Sequence, residues 1–180
     1  MKKTFSILFL LVTYIIFAQE KWVTTTGFVS FEASVPFFEE VKAQNNTANC
    51  ILNTKENTIV SDIIISEFNF KRDLMKIHFN DNYMESDTYP KATFKGIIDN
   101  FDFKNIDSKE KEIVIKGKIT VHGTSKNITI KALIRKEVDA IYFQSHFVLN
   151  TDDFDITIPT IILPKISKFV KIKIAFVLKN

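Results

Sequence analysis

Hydrophobic and polar residues alternate with a period of two over much of the chain, and this pattern predicts β-strands with one buried face. The clearest stretch runs from Glu112 to His122, where isoleucine, glycine and valine at odd positions alternate with mostly polar residues at even positions. The same alternation occurs over 128–134, 141–150 and 170–178, and a shorter run covers 92–98. The pattern therefore predicts an all-β chain.

Turn residues join two of these stretches and predict an antiparallel hairpin over His122–Lys126. A four-residue loop after His122 would place Gly117 opposite Ala132. A turn over 137–140 would then place Ala132 opposite Ser145. These three small residues would form a row across neighbouring strands, and an aromatic side chain or a ligand would have to fill the gap beside it.

One segment departs from the strand pattern. Apolar residues over Asp73–Phe79 are spaced by three and four, which predicts a short helix with Asp73 as its N-cap. The run Thr58–Phe70 is apolar on both faces, so its register is not fixed by the pattern. About eight antiparallel strands and one or two short helices follow from this count. A barrel or a sandwich would bury their apolar face and manage the exposed edges.

The first 18 residues have the layout of an export signal. Lys2 and Lys3 precede the apolar stretch Phe5–Phe17, and Ala18 comes before the expected cleavage point. A permanent anchor is the weaker alternative, because the stretch is shorter than the roughly 20 residues that span a bilayer. We expect a signal peptide over 1–18, one domain over 19–180, and a periplasmic or secreted protein.

Charge and cysteine content exclude several classes of function. Without residues 1–18 the chain has 22 basic and 21 acidic residues, so no nucleic-acid partner is expected. The chain contains 4 glycines, which disfavours a glycine-rich phosphate-binding loop. Cys50 is the single cysteine and excludes an intramolecular disulfide. It alternates with polar Asn49, which favours a buried small hydrophobe over the alternative of a reactive thiol.

The candidate chemical groups do not suggest a catalytic or metal site. His78, His122 and His146 fall on a helix and on polar strand faces, so we do not expect them to converge on a metal ion. The acidic run Asp152–Asp155 follows a strand and reads as a turn more readily than as paired carboxylates. Ser125 has no base beside it. The sequence therefore predicts a protein that is not an enzyme and has no cofactor.

Two segments carry a family resemblance. His78–Gly96 and Gly117–Lys126 resemble the YceI-like family of bacterial exported proteins, whose members have a short helix, a tyrosine-proline step and a glycine turn between strands in this order. The resemblance extends over essentially all of residues 19–180. It implies an antiparallel lipocalin-like β-barrel around an apolar tunnel that holds a polyisoprenoid, such as a quinone tail. It also implies absence of catalysis and a homodimer.

These observations predict a non-enzymatic extracytoplasmic protein that holds a long apolar lipid, isoprenoid or quinone-like, inside a β-barrel. The alternative is a dry-cored barrel that acts as an envelope interaction or stress-response module without lipid. Phenylalanine is in excess, with 15 of 18 residues outside the export signal, and fits a dense core or a lined cavity equally well. Lysines on the last strand suggest transient contact with a membrane surface. Inward-facing positions are expected to line the cavity: Phe31, Phe94, Gly117, Ile119, Ile130, Ala132, Phe143, Ser145, Phe147, Ile174 and Phe176.

Overall fold

The alternating stretches form strands, as the sequence predicts. A computed structural model describes residues 20–180, so the expected signal peptide and the cleavage point before Gln19 lie outside the described residues. The strands of the described part are β1 (Lys21–Ser34), β2 (Lys42–Asn53), β3 (Thr58–Ile64), β4 (Asn69–Phe70), β5 (Lys91–Ile98), β6 (Lys111–Val121), β7 (Thr124–Glu137), β8 (Ala140–Asn150) and β9 (Ile166–Leu178).

Eight long strands close into an antiparallel barrel, which confirms the predicted fold class. The order around the barrel is β1, β9, β8, β7, β6, β5, β3 and β2, and β2 pairs again with β1. The two-residue strand β4 is added beside β2. Closure pairs every long strand on both sides, so the barrel has no open sheet edge among these strands.

The hairpin between β6 and β7 has a tighter turn than predicted. His122 and Gly123 are its two central residues, with φ of 50° and 73°, as a type I′ turn requires. The four-residue loop was therefore wrong, and the register moves with it. Gly117 faces Ile128, and Ile113 faces Ala132. The second expected pairing, Ala132 with Ser145, is confirmed.

A short helical segment follows β4. The helix α1 (Asp73–His78) continues as a π-helical turn over Phe79–Tyr83. Asp73 is the first helical residue and not the N-cap, which is Arg72, and Arg72 makes no side-chain capping hydrogen bond. The N-cap prediction was therefore wrong, although the helix itself is present. Within residues 20–180, no helix is long and apolar enough to cross a membrane.

The barrel interior has two halves. In the closed half, side chains from all eight long strands fill the interior, and the most buried are isoleucines, leucines and one aromatic ring. Fully buried apolar members of this half are Leu52, Ile59, Ile98, Ile115, Ile134, Ile141, Phe143 and Leu178. The other half, where α1 and the long β8–β9 connection cross the end of the barrel, contains the cavity described below. We call it the open half.

Candidate functional site

An apolar cavity of about 490 Å³ lies in the open half of the barrel. Its walls come from β1, β3, β5, β6, β8 and β9, because their inward-facing residues alternate along each strand. The helical segment and the β8–β9 connection cover its end. The apolar wall residues include Val29, Phe31, Ala33, Ile63, Ala92, Phe94, Ile119, Val121, Phe147, Leu149, Val170, Ile172 and Ile174.

Four phenylalanine rings cover one side of this cavity. Phe31 on β1 stacks on Phe79 with ring centroids 5.2 Å apart, and Phe68 and Phe70 pack edge-on against Phe31. The ring centroids of Phe79 and Phe70 are 5.0 Å apart. Aromatic pairs of this kind contribute about 0.5 to 1.5 kcal/mol each beyond their buried area. The rings therefore attach the helical cover to the barrel wall.

Phe94 forms the floor between the open and closed halves. Its ring lies over the cross-strand pair Gly96 and Gly117. A Cβ at Gly117 would lie 2.7 Å from Phe94 Cζ and 2.5 Å from the Lys95 carbonyl oxygen, and a Cβ at Gly96 would lie 2.8 Å from the same ring. Only glycine leaves the ring this space, so the pair of glycines positions the floor of the cavity.

The cavity reaches the protein surface beside α1. Leu74 lines the cavity and is 61% exposed, and Arg72 and Glu39, which also line it, are exposed as well. Arg72 Nε lies 2.8 Å from Glu39 Oε1, and this ion pair joins the β1–β2 loop to the start of α1. The mouth is therefore framed by the β1–β2 loop, α1 and the β8–β9 connection, which contributes Ile162.

Residues with polar side chains are a minority in the cavity wall. Ser61 Oγ donates to the Asn49 carbonyl oxygen at 2.8 Å. Thr151 Oγ1 is buried and has no hydrogen-bond partner within residues 20–180. Desolvation by burial raises the pKa of the Tyr83 phenol above its ordinary value. A wall of this composition holds a ligand by burying apolar area, with little hydrogen bonding.

Five of the eleven residues expected to line a cavity do line this one: Phe31, Phe94, Ile119, Phe147 and Ile174. The other six do not contribute to its wall: Gly117, Ile130, Ala132, Phe143, Ser145 and Phe176. Gly117 lies beneath Phe94, and the remaining five lie in the closed half. Alternation along a strand shows which face points inward, but it does not show how far along the barrel axis the interior is filled.

Several wall residues come from segments that the strand pattern does not cover. Phe68, Phe79 and Tyr83 belong to the cover, and Phe154 and Ile158 belong to the β8–β9 connection. Strand alternation does not point to these residues, because they lie outside the long strands. The signal that could have found them is the recurrence of aromatic residues through 68–83, outside any long strand.

The three histidines lie in different surroundings. His146 and His78 are exposed, and His78 is at the cavity wall. His122 is more buried than a polar strand face predicts. Its Nδ1 lies 3.1 Å from the Phe154 carbonyl oxygen, and its ring packs on Tyr89 at 4.6 Å. No group of three or more histidine, cysteine, aspartate or glutamate side chains in the described residues could hold a metal ion.

The acidic run and the cysteine are placed as the sequence predicts. Asp152 and Asp153 are exposed in a 3₁₀ turn and form ion pairs with Lys168 and Lys126. They are therefore solvated turn residues. Cys50 is 1% exposed, and desolvation by burial raises its thiol pKa to about 12, which confirms a buried small hydrophobe.

The sequence and the fold are both similar to known proteins. Residues 17–178 match the family model for the YceI-like domain. No curated protein matches the chain. A polyisoprenoid binding domain from Saccharophagus degradans implicated in plant cell wall breakdown superposes with a TM-score of 0.78 at 16% identity. The alignment covers 89% of this chain and 98% of that one.

Two further solved structures share the fold. Burkholderia cenocepacia BcnA gives a TM-score of 0.68 at 13% identity, with 85% of this chain and 96% of that chain covered. A YCEI protein from Campylobacter jejuni gives 0.57 at 17% identity, with 88% and 84% covered. At these identities the likeness concerns the barrel fold.

Proposed function

Because the chain belongs to the YceI-like domain family, we propose that it is a non-enzymatic binding protein that holds one long apolar lipid in the open half of the barrel. The lipid is of the isoprenoid or quinone-like kind. The observation that carries the proposal is the apolar cavity of about 490 Å³ that opens beside α1. The fold relative from Saccharophagus degradans, a polyisoprenoid binding domain, supports the same ligand class.

The cavity has the size and lining that such a ligand requires. Small-molecule sites commonly measure about 300 to 1,000 Å³ and are lined mainly by apolar and aromatic side chains. Each buried CH₂ contributes about 0.8 kcal/mol, so ten carbons would supply roughly 8 kcal/mol before the ordering costs of binding are subtracted. Affinity then follows from area and shape, and the protein needs no cofactor or catalytic group for this function.

Compartment and assembly complete the proposal. An exported protein with its signal peptide removed would meet such lipids in the periplasm or outside the cell. The homodimer expected from the family resemblance stays a prediction, and sedimentation velocity of the purified protein measures it.

Extraction of the purified protein with organic solvent, followed by mass spectrometry, tests the proposal. We expect about one isoprenoid-type lipid per chain. Absence of lipid from gently purified protein would contradict the proposal and favour the alternative, an envelope interaction or stress-response module without lipid.

A matched pair of variants connects the lipid to the cavity. Ala33 lines the cavity, whereas Ala132 lies in the closed half, and both are nearly fully buried. Ala33→Phe should place a ring in the ligand's space and strongly lower the lipid recovered per mole of folded protein. Ala132→Phe should overpack the closed half at a cost of about 1 to 3 kcal/mol and leave lipid per folded mole unchanged. Equal lipid loss in both variants would contradict this location of the ligand.

A further inference from the structure

Large apolar side chains project into solvent around the mouth of the cavity. Phe37, in the β1–β2 loop, is 104% exposed, and Ile161, in the β8–β9 connection, is 84% exposed. Phe38 and the α1 residues Leu74 and Ile77 are exposed as well. We call these five residues the mouth surface. An exposed apolar cluster of this kind marks an interaction site more often than an isolated apolar residue does.

The three segments that carry the mouth surface also belong to the cavity mouth itself. Glu39 and Arg72 line the cavity and pair with each other, which brings Phe37 and Phe38 close to α1. Leu74 lines the cavity directly. Ile161 is adjacent in sequence to Ile162, another wall residue. The exposed apolar residues therefore surround the opening through which an apolar ligand would enter.

Three lysines without salt bridges lie in the same segments. The β1–β2 loop (35–41), α1 with the two residues before it (71–78) and the β8–β9 connection (151–165) contain four basic and six acidic residues. Four of the acidic residues form salt bridges: Glu39 with Arg72, Glu40 with Lys42, Asp152 with Lys168 and Asp153 with Lys126. Lys71, Lys76 and Lys165 form no salt bridge with any residue in the described part of the chain. Asp73 and Asp155 also form no salt bridge within the described residues, so the unpaired charges of these segments are three positive and two negative.

We propose that the mouth surface docks on an anionic lipid bilayer, with Phe37, Ile161 and their neighbours at the level of the headgroups and the unpaired lysines facing the acidic lipids. Apolar tips with flanking lysines are the pattern that binds at a membrane interface. The three unpaired lysines favour an acidic lipid surface over a second copy of this chain, which would bring these lysines together. This proposal rests on the proposed function, because docking at the mouth lets an apolar lipid pass between bilayer and cavity without crossing water.

Vesicle flotation of the full chain, with its signal peptide removed, tests the proposal. The probes are vesicles of phosphatidylglycerol mixed with phosphatidylcholine, and of phosphatidylcholine alone. We expect binding to the mixed vesicles that weakens with added salt. Replacing Lys71, Lys76 and Lys165 together by Gln should weaken it about 100-fold, because each basic residue contributes roughly 1 kcal/mol, a factor of about five.

Variants of the apolar residues and matched controls complete the test. Phe37→Asn with Ile161→Ser should weaken binding about 10-fold or more, and Asn suits the positive φ of 71° at position 37. Exposed residues away from the mouth provide controls in which apolar residues also become polar and lysines also become glutamine: Val138→Ser with Ile97→Thr, and Lys95, Lys118 and Lys173 together to Gln. These controls should bind as the wild type does.

Each other outcome overturns the docking proposal. No vesicle binding by the wild type, or equal losses in the control variants, would show that the mouth surface does not meet the bilayer. A dimer that dissociates in the Phe37 and Ile161 variant, without vesicle binding, would assign the surface to a second copy. Lipid content by mass spectrometry is measured on the same samples. Protein that contains lipid but does not bind vesicles would refute docking alone. Protein that contains no lipid would refute the proposed function.

Discussion

Removal of the Phe94 ring should destabilise the barrel and deepen the cavity. Phe94 covers Gly96 and Gly117, and neither glycine has a side chain that could fill the space left by the ring. Burial changes of this kind, from Phe to Ala, cost about 3 to 5 kcal/mol. One side of the ring borders the cavity and Phe94 is half-buried, so we expect the lower end, about 3 kcal/mol, for Phe94→Ala.

Urea denaturation of wild type and variant at equal concentration measures this loss, with the m-value checking that the unfolded state is unchanged. In thermal unfolding the same loss corresponds to a Tm lower by roughly 6 to 12 °C for a domain of this size. Gly117→Ala tests the same contact by adding a group beneath the ring, because its methyl group would clash with both the Lys95 carbonyl oxygen and the Phe94 ring. It should cost about 1 to 3 kcal/mol.

A decrease in unfolding free energy of less than about 1 kcal/mol for Phe94→Ala, the range of an ordinary surface change, would refute this role of the ring. Phe147→Ala is the comparison, because Phe147 lines the cavity and is half-buried, and its ring is not among the nearest neighbours of any glycine in the described residues. It should lose less stability than Phe94→Ala. Equal losses would show that the glycine pair does not add to the importance of the ring.

Three further predictions concern other parts of the chain. The Cys50 thiol, with a pKa of about 12 in the folded protein, should resist iodoacetamide until urea unfolds the protein, and rapid labelling of native protein would contradict this. The contribution of the buried thiol to stability is present below the ordinary thiol pKa of 9.0 and is lost as pH rises toward 12. Ile119→Lys places a charge on the cavity wall and should cost about 3 kcal/mol or more of unfolding free energy, measured by urea denaturation. Lys118→Ile on the exposed face should change stability little, and equal losses in the two variants would contradict the assignment of faces. Intact-mass measurement of exported protein should give a chain that begins at Gln19, and retention of residues 1–18 in a membrane fraction would refute the signal peptide.

Strand alternation was sufficient for the fold class and for most strand positions. In β6 and β8 most inward residues are large and apolar and most outward ones are polar, so the pattern is clear. It is hidden in β2, whose buried positions include Ala43, Asn45 and Ala48, and this strand was not recognised from the sequence. Asn45 can be buried there because its Nδ2 donates to the Ile64 carbonyl oxygen at 3.2 Å.

The candidate site depended on tertiary structure more than the fold did. The sequence by itself determined an all-β chain with inward-facing Phe31, Phe94 and Ile119, because side-chain direction in a strand follows from local geometry. The two-residue turn at His122 and Gly123 set a register that moved Gly117 away from Ala132. Whether an inward residue meets another side chain or open space depends on what crosses each end of the barrel, and here the helical cover and the β8–β9 connection decide it. Those segments pack through long-range contacts, which no local pattern encodes.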